Sequence, residues 1–351
     1  MNSRTDGATH LLRRHLGWAV CLAYLTALLL PGPGVWLRHP HLVPLGPGRH
    51  LSLHTAASLL SLVLFSAGLQ VPVRSLARLL RRPGVVLTGV ALHLAAPLLI
   101  IPPLVFLMRG TPDADGGSGL VTAMILIVAM PVAAGATVWT GKGQGDQPTT
   151  VGLVLASTLV SPLTIPLTVR VLAPLLGGGY ADTLAAAGRT LHGGFALTAV
   201  VLPCAAGLLC RCLLPGRWAE GLAVRVAPAA LVGSLLLTYV NASGALGSFV
   251  AHPRPLLCAA AVTVAALVCA LSFALGRFTA RVLHLDAPVA SSLTLACGMN
   301  NSSASAVLLT TALPDKPHLL LPVLAYGLLQ KTAANRVVRA RVRGGPCAAP
   351  S

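Results

Sequence analysis

Ten mostly apolar stretches run along the chain, at 15–31, 53–71, 84–108, 118–141, 148–174, 190–213, 223–242, 255–276, 287–312 and 317–333, separated by charged or Pro/Gly-rich breaks. Each approximates the roughly 17–25 residues that carry a helix across hydrocarbon. Only 9 % of the residues are charged and 55 % are hydrophobic, where a soluble domain devotes about a quarter of its residues to charge. The bilayer is therefore the solvent, and the pattern predicts an all-α polytopic membrane protein of about ten transmembrane helices. The first stretch follows Arg13 and Arg14 as a signal peptide would, but it ends in Pro31-Gly32-Pro33-Gly34 with no small-residue cleavage site. It is read as a helix.

The net charge of +17 reads as topology. Nucleic-acid binders gather Lys and Arg on one face and interleave aromatics, whereas here aromatics are 4 % and the basic residues stand between apolar runs. With the N-terminus in the cytoplasm, 18 of the 25 basic residues fall inside, as the positive-inside rule requires. Both termini are thus expected in the cytoplasm of a plasma-membrane protein. The expected parts are a tail at 1–14, a five-helix repeat at 15–174, a linker at 175–189, a second repeat at 190–333 and a basic tail at 334–351. The run from Arg336 to Arg343 fits a stop on anionic lipid. Seven of the eight Cys lie within apolar runs with no metal spacing, so no disulfide framework, zinc or other resident cofactor is expected.

Two stretches are interrupted at matching places. The fourth contains Ala129-Met130-Pro131-Val132-Ala133-Ala134-Gly135-Ala136-Thr137, and the ninth Ala296-Cys297-Gly298-Met299-Asn300-Asn301-Ser302-Ser303. Each is fourth in a run of five. A kink at Pro131, or interhelical hydrogen bonds from Asn300 to Ser303, accounts for either segment alone. Together they have the form of an inverted-repeat transporter whose broken helices cross at the site. Half-helix N-termini at such breaks favour negative charge, which makes Gly135, Thr137, Asn301 and Ser302 the candidate substrate-binding residues and a small organic anion the candidate substrate.

At these residues the chain resembles the bile acid:sodium symporter family. The stretch Leu59 to Pro83 looks like that family's second span and basic connector. Pro131 to Pro166 is similar to its fourth and fifth spans, including Gly145-Asp146, Ser157-Thr158, Pro162 and Pro166, and Cys297 to Asn301 resembles its E-x-G-x-Q-N signature. The resemblance implies a panel domain and a core domain, with the breaks crossing in the core. It also implies sodium ligands. Carried over, these fall on Ala136 and Thr137, on Thr150 and Val154, on Ala296, Asn300 and Asn301, and on Leu92 beside His93. Thr137, Thr150, Asn300 and Asn301 keep side-chain oxygens and are the candidate ion ligands.

The signature Glu, however, is Ala296, and all eight acids lie at span ends or in loops. A cation at the midplane without a carboxylate is held weakly. The sequence therefore also admits a sodium-independent carrier, a proton-linked one using His93, or a non-transporting sensor or scaffold. His93 equally suits a neutral imidazole bonded to a neighbouring helix, and Trp139 an interfacial anchor. No HExxH motif, aspartate pair or Ser/His pair argues for an enzyme.

Overall fold

The computed structural model describes residues 16–46, 49–72, 83–109, 117–177, 179–185, 194–251, 253–313 and 315–343. The expected tail at 1–14, much of the basic connector after Val71, Asp113, Asp115 and parts of the 175–189 linker lie outside them. The described chain is helical apart from a hairpin, β1 (His41–Gly46) against β2 (Arg49–Leu53). The first stretch forms α1 (Leu16–Leu29) and then turns by 94° into α2 (Pro31–Arg38). The turn falls where Pro31 begins a new helix, since proline cannot continue the hydrogen-bond ladder but suits a first turn.

The remaining helices are α3 (Thr55–Leu69), α4 (Pro83–Met108), α5 (Ser118–Val128), α6 (Ala136–Lys142), α7 (Gln147–Leu172), α8 (Leu202–Leu213, entered through a π-helical turn at Ala196–Val201), α9 (Gly216–Ala251), α10 (Pro255–Val282), α11 (Ala287–Gly298), α12 (Ser302–Ala312) and α13 (Leu320–Arg343). Among the described residues, five helical stretches are long and apolar enough to cross a membrane: Pro83–Met108, Gln147–Leu175, Ala196–Leu213, Gly216–Gly247 and Pro255–Val282. The bent α1–α2 pair makes a sixth, and α3, α5, α11 and α12 are shorter apolar helices. The final stretch, expected to end near 333, continues as one helix to Arg343.

Local chemistry sets these limits. Asp146 caps α7 by accepting from Thr149 N at 2.9 Å, a carboxylate at a positive helix end. Prolines lie inside α4 (Pro97, Pro102, Pro103) and α7 (Pro162, Pro166), and the Thr158 carbonyl that Pro162 frees accepts from Ser161 Oγ of the same helix at 2.7 Å. Large apolar side chains face outward in regular stripes, as at Leu159, Leu163, Leu167 and Val171 of α7. Rows at every fourth residue are what lipid accepts and water does not.

The helices pack in two groups. In one, α8 lies on α3, and α9 holds α1, α2 and α3; in the other, α4 packs on α5 and α7, and α10 on α11 and α13. Between the groups, α12 meets α3 and α9. Every residue of α5 is buried, so this short apolar helix lies at the centre of the protein, as a helix hydrophobic all round must.

Candidate functional site

The two interruptions meet. Pro131 has no N–H and ends the helical ladder after α5, while α11 stops at Gly298 and α12 begins at Ser302. Between them Val132 and Asn300 form an antiparallel bridge. Ala133 N donates to Met299 O at 2.8 Å, and Asn301 N donates to Pro131 O at 3.0 Å. Each unwound segment thereby satisfies the other, which allows irregular backbone at depth. The halves cross accordingly, α5 packing on α12 and α6 on α11.

Four side chains complete the crossing. Val132 N donates to Ser157 Oγ at 3.1 Å, from α7. Tyr326, fully buried on α13, accepts from Asn300 Nδ2 at 3.0 Å and donates to Gly298 O at 3.1 Å. Asn301 caps α12, its Oδ1 accepting from Ala304 N at 3.1 Å, and Gln330 Nε2 donates to Ser302 Oγ at 3.3 Å. Two buried acceptors here have no partner among the described residues, Asn300 Oδ1 and Gln330 Oε1. Ser157→Ala should strand the Val132 N–H and cost about 1–3 kcal/mol, read as a lower unfolding midpoint in detergent, with Ser157→Thr retaining most of it.

The predicted substrate residues lie at two places. Asn301 and Ser302 stand at the crossing and the N-terminus of α12, while Gly135, exposed, and Thr137 form the first turn of α6. Of the candidate ion ligands, Thr137 Oγ1 is turned back on Ala134 O at 2.8 Å, and Thr150 Oγ1 is paired with Thr140 Oγ1 at 2.8 Å. Only Asn300 among the four keeps a buried side-chain oxygen without a partner. Ala296 and His93 line one small cavity of about 10 Å³ behind Val132, with Gly89, Ser157 and Cys297. That is room for at most one water. His93 is buried, with the Met130 carbonyl within hydrogen-bonding reach of its ring.

At the far ends of the half-helices the turn after α6 docks on α11: Asp146 N donates to Pro288 O at 3.2 Å and Ser292 Oγ to Asp146 O at 3.0 Å. Arg341 clasps the same place, its guanidinium donating to the carbonyls of Gly143 (3.0 Å), Gln144 (3.4 Å) and Ala287. A cation on the carbonyl end of α6 suits the helix dipole. Arg341, expected to serve as a lipid contact in the basic run, is thus engaged with backbone.

The family model for the sodium bile acid symporter family matches residues 57–252. The chain belongs to this family. Its members are membrane transporters and not enzymes. The matched part contains the first break and ends before the second, which the bridge at Val132 and Asn300 ties to it. No curated protein matches the chain. The sequence alone does not mark Ser157, Tyr326 and Gln330 as site residues. A lone polar residue in an apolar stretch is the signal that marks Tyr326 and Gln330, although it does not name the backbone or side-chain group each one reaches.

Proposed function

We propose that this symporter-family protein carries a small organic anion across the plasma membrane by alternating access, with sodium contributing little, and that its ten apolar stretches span the bilayer as two inverted five-helix repeats with both termini in the cytoplasm. The observation that carries the reading is the backbone bridge between the two breaks, because unwound segments crossing inside a membrane protein belong to transport sites. The helix pairings support the repeat. Exchanging each stretch with the one five places on turns α1 on α9 into α8 on α3, α4 on α5 into α10 on α11, and α4 on α7 into α10 on α13, and every one of these pairs is present. The crossing halves map onto themselves.

In this reading the group containing α4–α7 and α10–α13 moves against the group of α1–α3, α8 and α9, and the anion rides at the N-terminal ends of α6 and α12. The weak role for sodium rests on Ala296, which leaves the crossing without the signature carboxylate. A bound cation would lack the negative charge that offsets its dehydration. The test is uptake of taurocholate and of a short 2-oxo acid into proteoliposomes, with a sodium or a choline gradient. Flux of at least one anion is expected, agreeing within twofold in the two salts. Flux confined to sodium overturns the sodium-independent part. Absence of flux for both anions, with the protein folded, favours the sensor or scaffold.

A further inference from the structure

The longest helix is too long for the layer it crosses. α9 has 36 residues, about 54 Å at 1.5 Å per residue, against hydrocarbon about 30 Å thick. A centred helix therefore projects about 12 Å into the headgroup region at each end. The segment from Arg217 to Arg225, at its first end, covers the same distance, about 12 Å.

One side of α9 is uncovered along most of this length. At 3.6 residues per turn, Arg217, Trp218, Gly221, Arg225, Val232 and Leu236 fall within an arc of about 100°, and all six are exposed. Buried Ala219, Ala230, Gly233 and Leu237 lie on the opposite side, with Gly233 facing Leu59 and Leu62 of α3. The exposed arc changes character along the helix, from two arginines and a tryptophan at its start to aliphatic side chains beyond. That is the order of a phospholipid, headgroup first and chain after.

The basic end of the arc carries no acid. Glu220, the nearest carboxylate in sequence, falls about 60° outside its edge. Among the described residues neither guanidinium is paired with a carboxylate. Gly221 stands one turn from each arginine, and a Cβ added there would meet nothing within 4 Å. The face thus has an open gap with an arginine one turn to either side and Trp218 beside it.

We propose that this face of α9 binds an anionic phospholipid, with Arg217 and Arg225 holding the headgroup phosphate over Gly221 and with Val232 and Leu236 along an acyl chain. A guanidinium meets phosphate oxygens through paired N–H donors, and tryptophan settles at headgroup depth. A zwitterionic lipid offers the same phosphate but brings its own ammonium, so two unpaired arginines favour the lipid with net negative charge. In the topology proposed above this end of α9 is cytoplasmic, on the leaflet that carries anionic lipid. The inference needs the chain to lie in a membrane and does not need it to transport.

The test is native mass spectrometry of the full chain in detergent with equimolar palmitoyl-oleoyl phosphatidylglycerol and palmitoyl-oleoyl phosphatidylcholine. Wild type should retain phosphatidylglycerol over phosphatidylcholine at least tenfold. Arg217→Gln with Arg225→Gln should bring the ratio to within about twofold of unity, because each basic residue near the headgroups contributes separately. Gly221→Leu keeps both charges and fills the gap, and should lower the ratio at least threefold. Arg277→Gln with Arg281→Gln removes the same charge from exposed positions of α10 and should leave the ratio within about twofold of wild type. Thermal unfolding in lipid-free detergent verifies that each variant is folded. Equal retention of the two lipids by wild type overturns the proposal, as does a wild-type ratio in the Arg217 and Arg225 variant or in Gly221→Leu. An equal loss in the α10 variant overturns it too, by reducing the effect to overall charge, and displacement of the lipid by inorganic phosphate would make the face a free-anion site. None of these readouts uses flux, so failure of the transport reading leaves this one standing.

Discussion

Tyr326→Phe should destabilise the protein by about 2–6 kcal/mol, the sum of about 1–3 for each of two buried groups left without a partner, and should lower anion flux at least tenfold. The hydroxyl is the acceptor for Asn300 Nδ2 and the donor to Gly298 O. Phenylalanine keeps the ring and removes both bonds. Side-chain hydrogen bonds between membrane helices average only about 0.6 kcal/mol, because separated helices find other partners. This case differs because Gly298 and Asn300 flank an unwound segment, where no helical neighbour can take over the carbonyl. Asn300 would then have neither end of its amide engaged, since Oδ1 already lacks a partner. Unfolding by denaturant titration in bicelles measures the cost. Replacing both partners, as in Tyr326→Phe with Asn300→Leu, should cost clearly less than the sum of the single changes. A single change below about 0.5 kcal/mol, within the range of an ordinary surface substitution, would remove Tyr326 from the architecture of the crossing.

The crossing itself is legible in the sequence. Pro131 and the pair Asn300-Asn301 are ill suited to the middle of a membrane helix, and their matching places in two runs of five point to one another. How the breaks are held was not legible. The bonds between them are backbone to backbone, and the side chains that finish the job come from α7 and α13, at Ser157 and Tyr326. Nothing in a residue type says which distant carbonyl it serves. The ion ligands show the converse. Asn301 is oxygen-bearing by position, yet its Oδ1 accepts from Ala304 N as the cap of α12, and so a matching position is not a vacant ligand. The last apolar run fades near 333, whereas the helix extends to Arg343 and Arg341 finds three carbonyls at its end. The bend after Leu29 is audible in Pro31, but its angle is decided by packing of α2 on α9.

The second large effect lies away from the crossing, where α3 and α8 touch backbone to backbone. A Cβ added at Gly207 would meet the Phe65 carbonyl, and one at Gly68 the Cys204 carbonyl, each well inside van der Waals contact. Neither glycine belongs to a repeated small-residue motif, so only the fold reveals the pair. Without a hydrophobic force between helices in lipid, such close approach is what holds them together. The opposing atoms are main chain, so no rotamer change relieves the clash and the helices must part. Gly68→Ala and Gly207→Ala should each cost about 1–3 kcal/mol. Gly221→Ala in α9, where an added Cβ meets nothing within 4 Å, should instead stabilise by about 0.5–1 kcal/mol, because alanine has the lower entropic cost in a helix. The same chemical change thus has opposite signs at two kinds of site, which excludes a general effect of the added methyl. The Gly68→Ala and Gly207→Ala double variant should cost less than the sum of its parts, since one separation of the helices relieves both clashes. Strict additivity would mean that the two glycines do not share an interface. The anion KM should stay at its wild-type value in the folded fraction of these variants, because α3 and α8 belong to the helix group opposite the crossing.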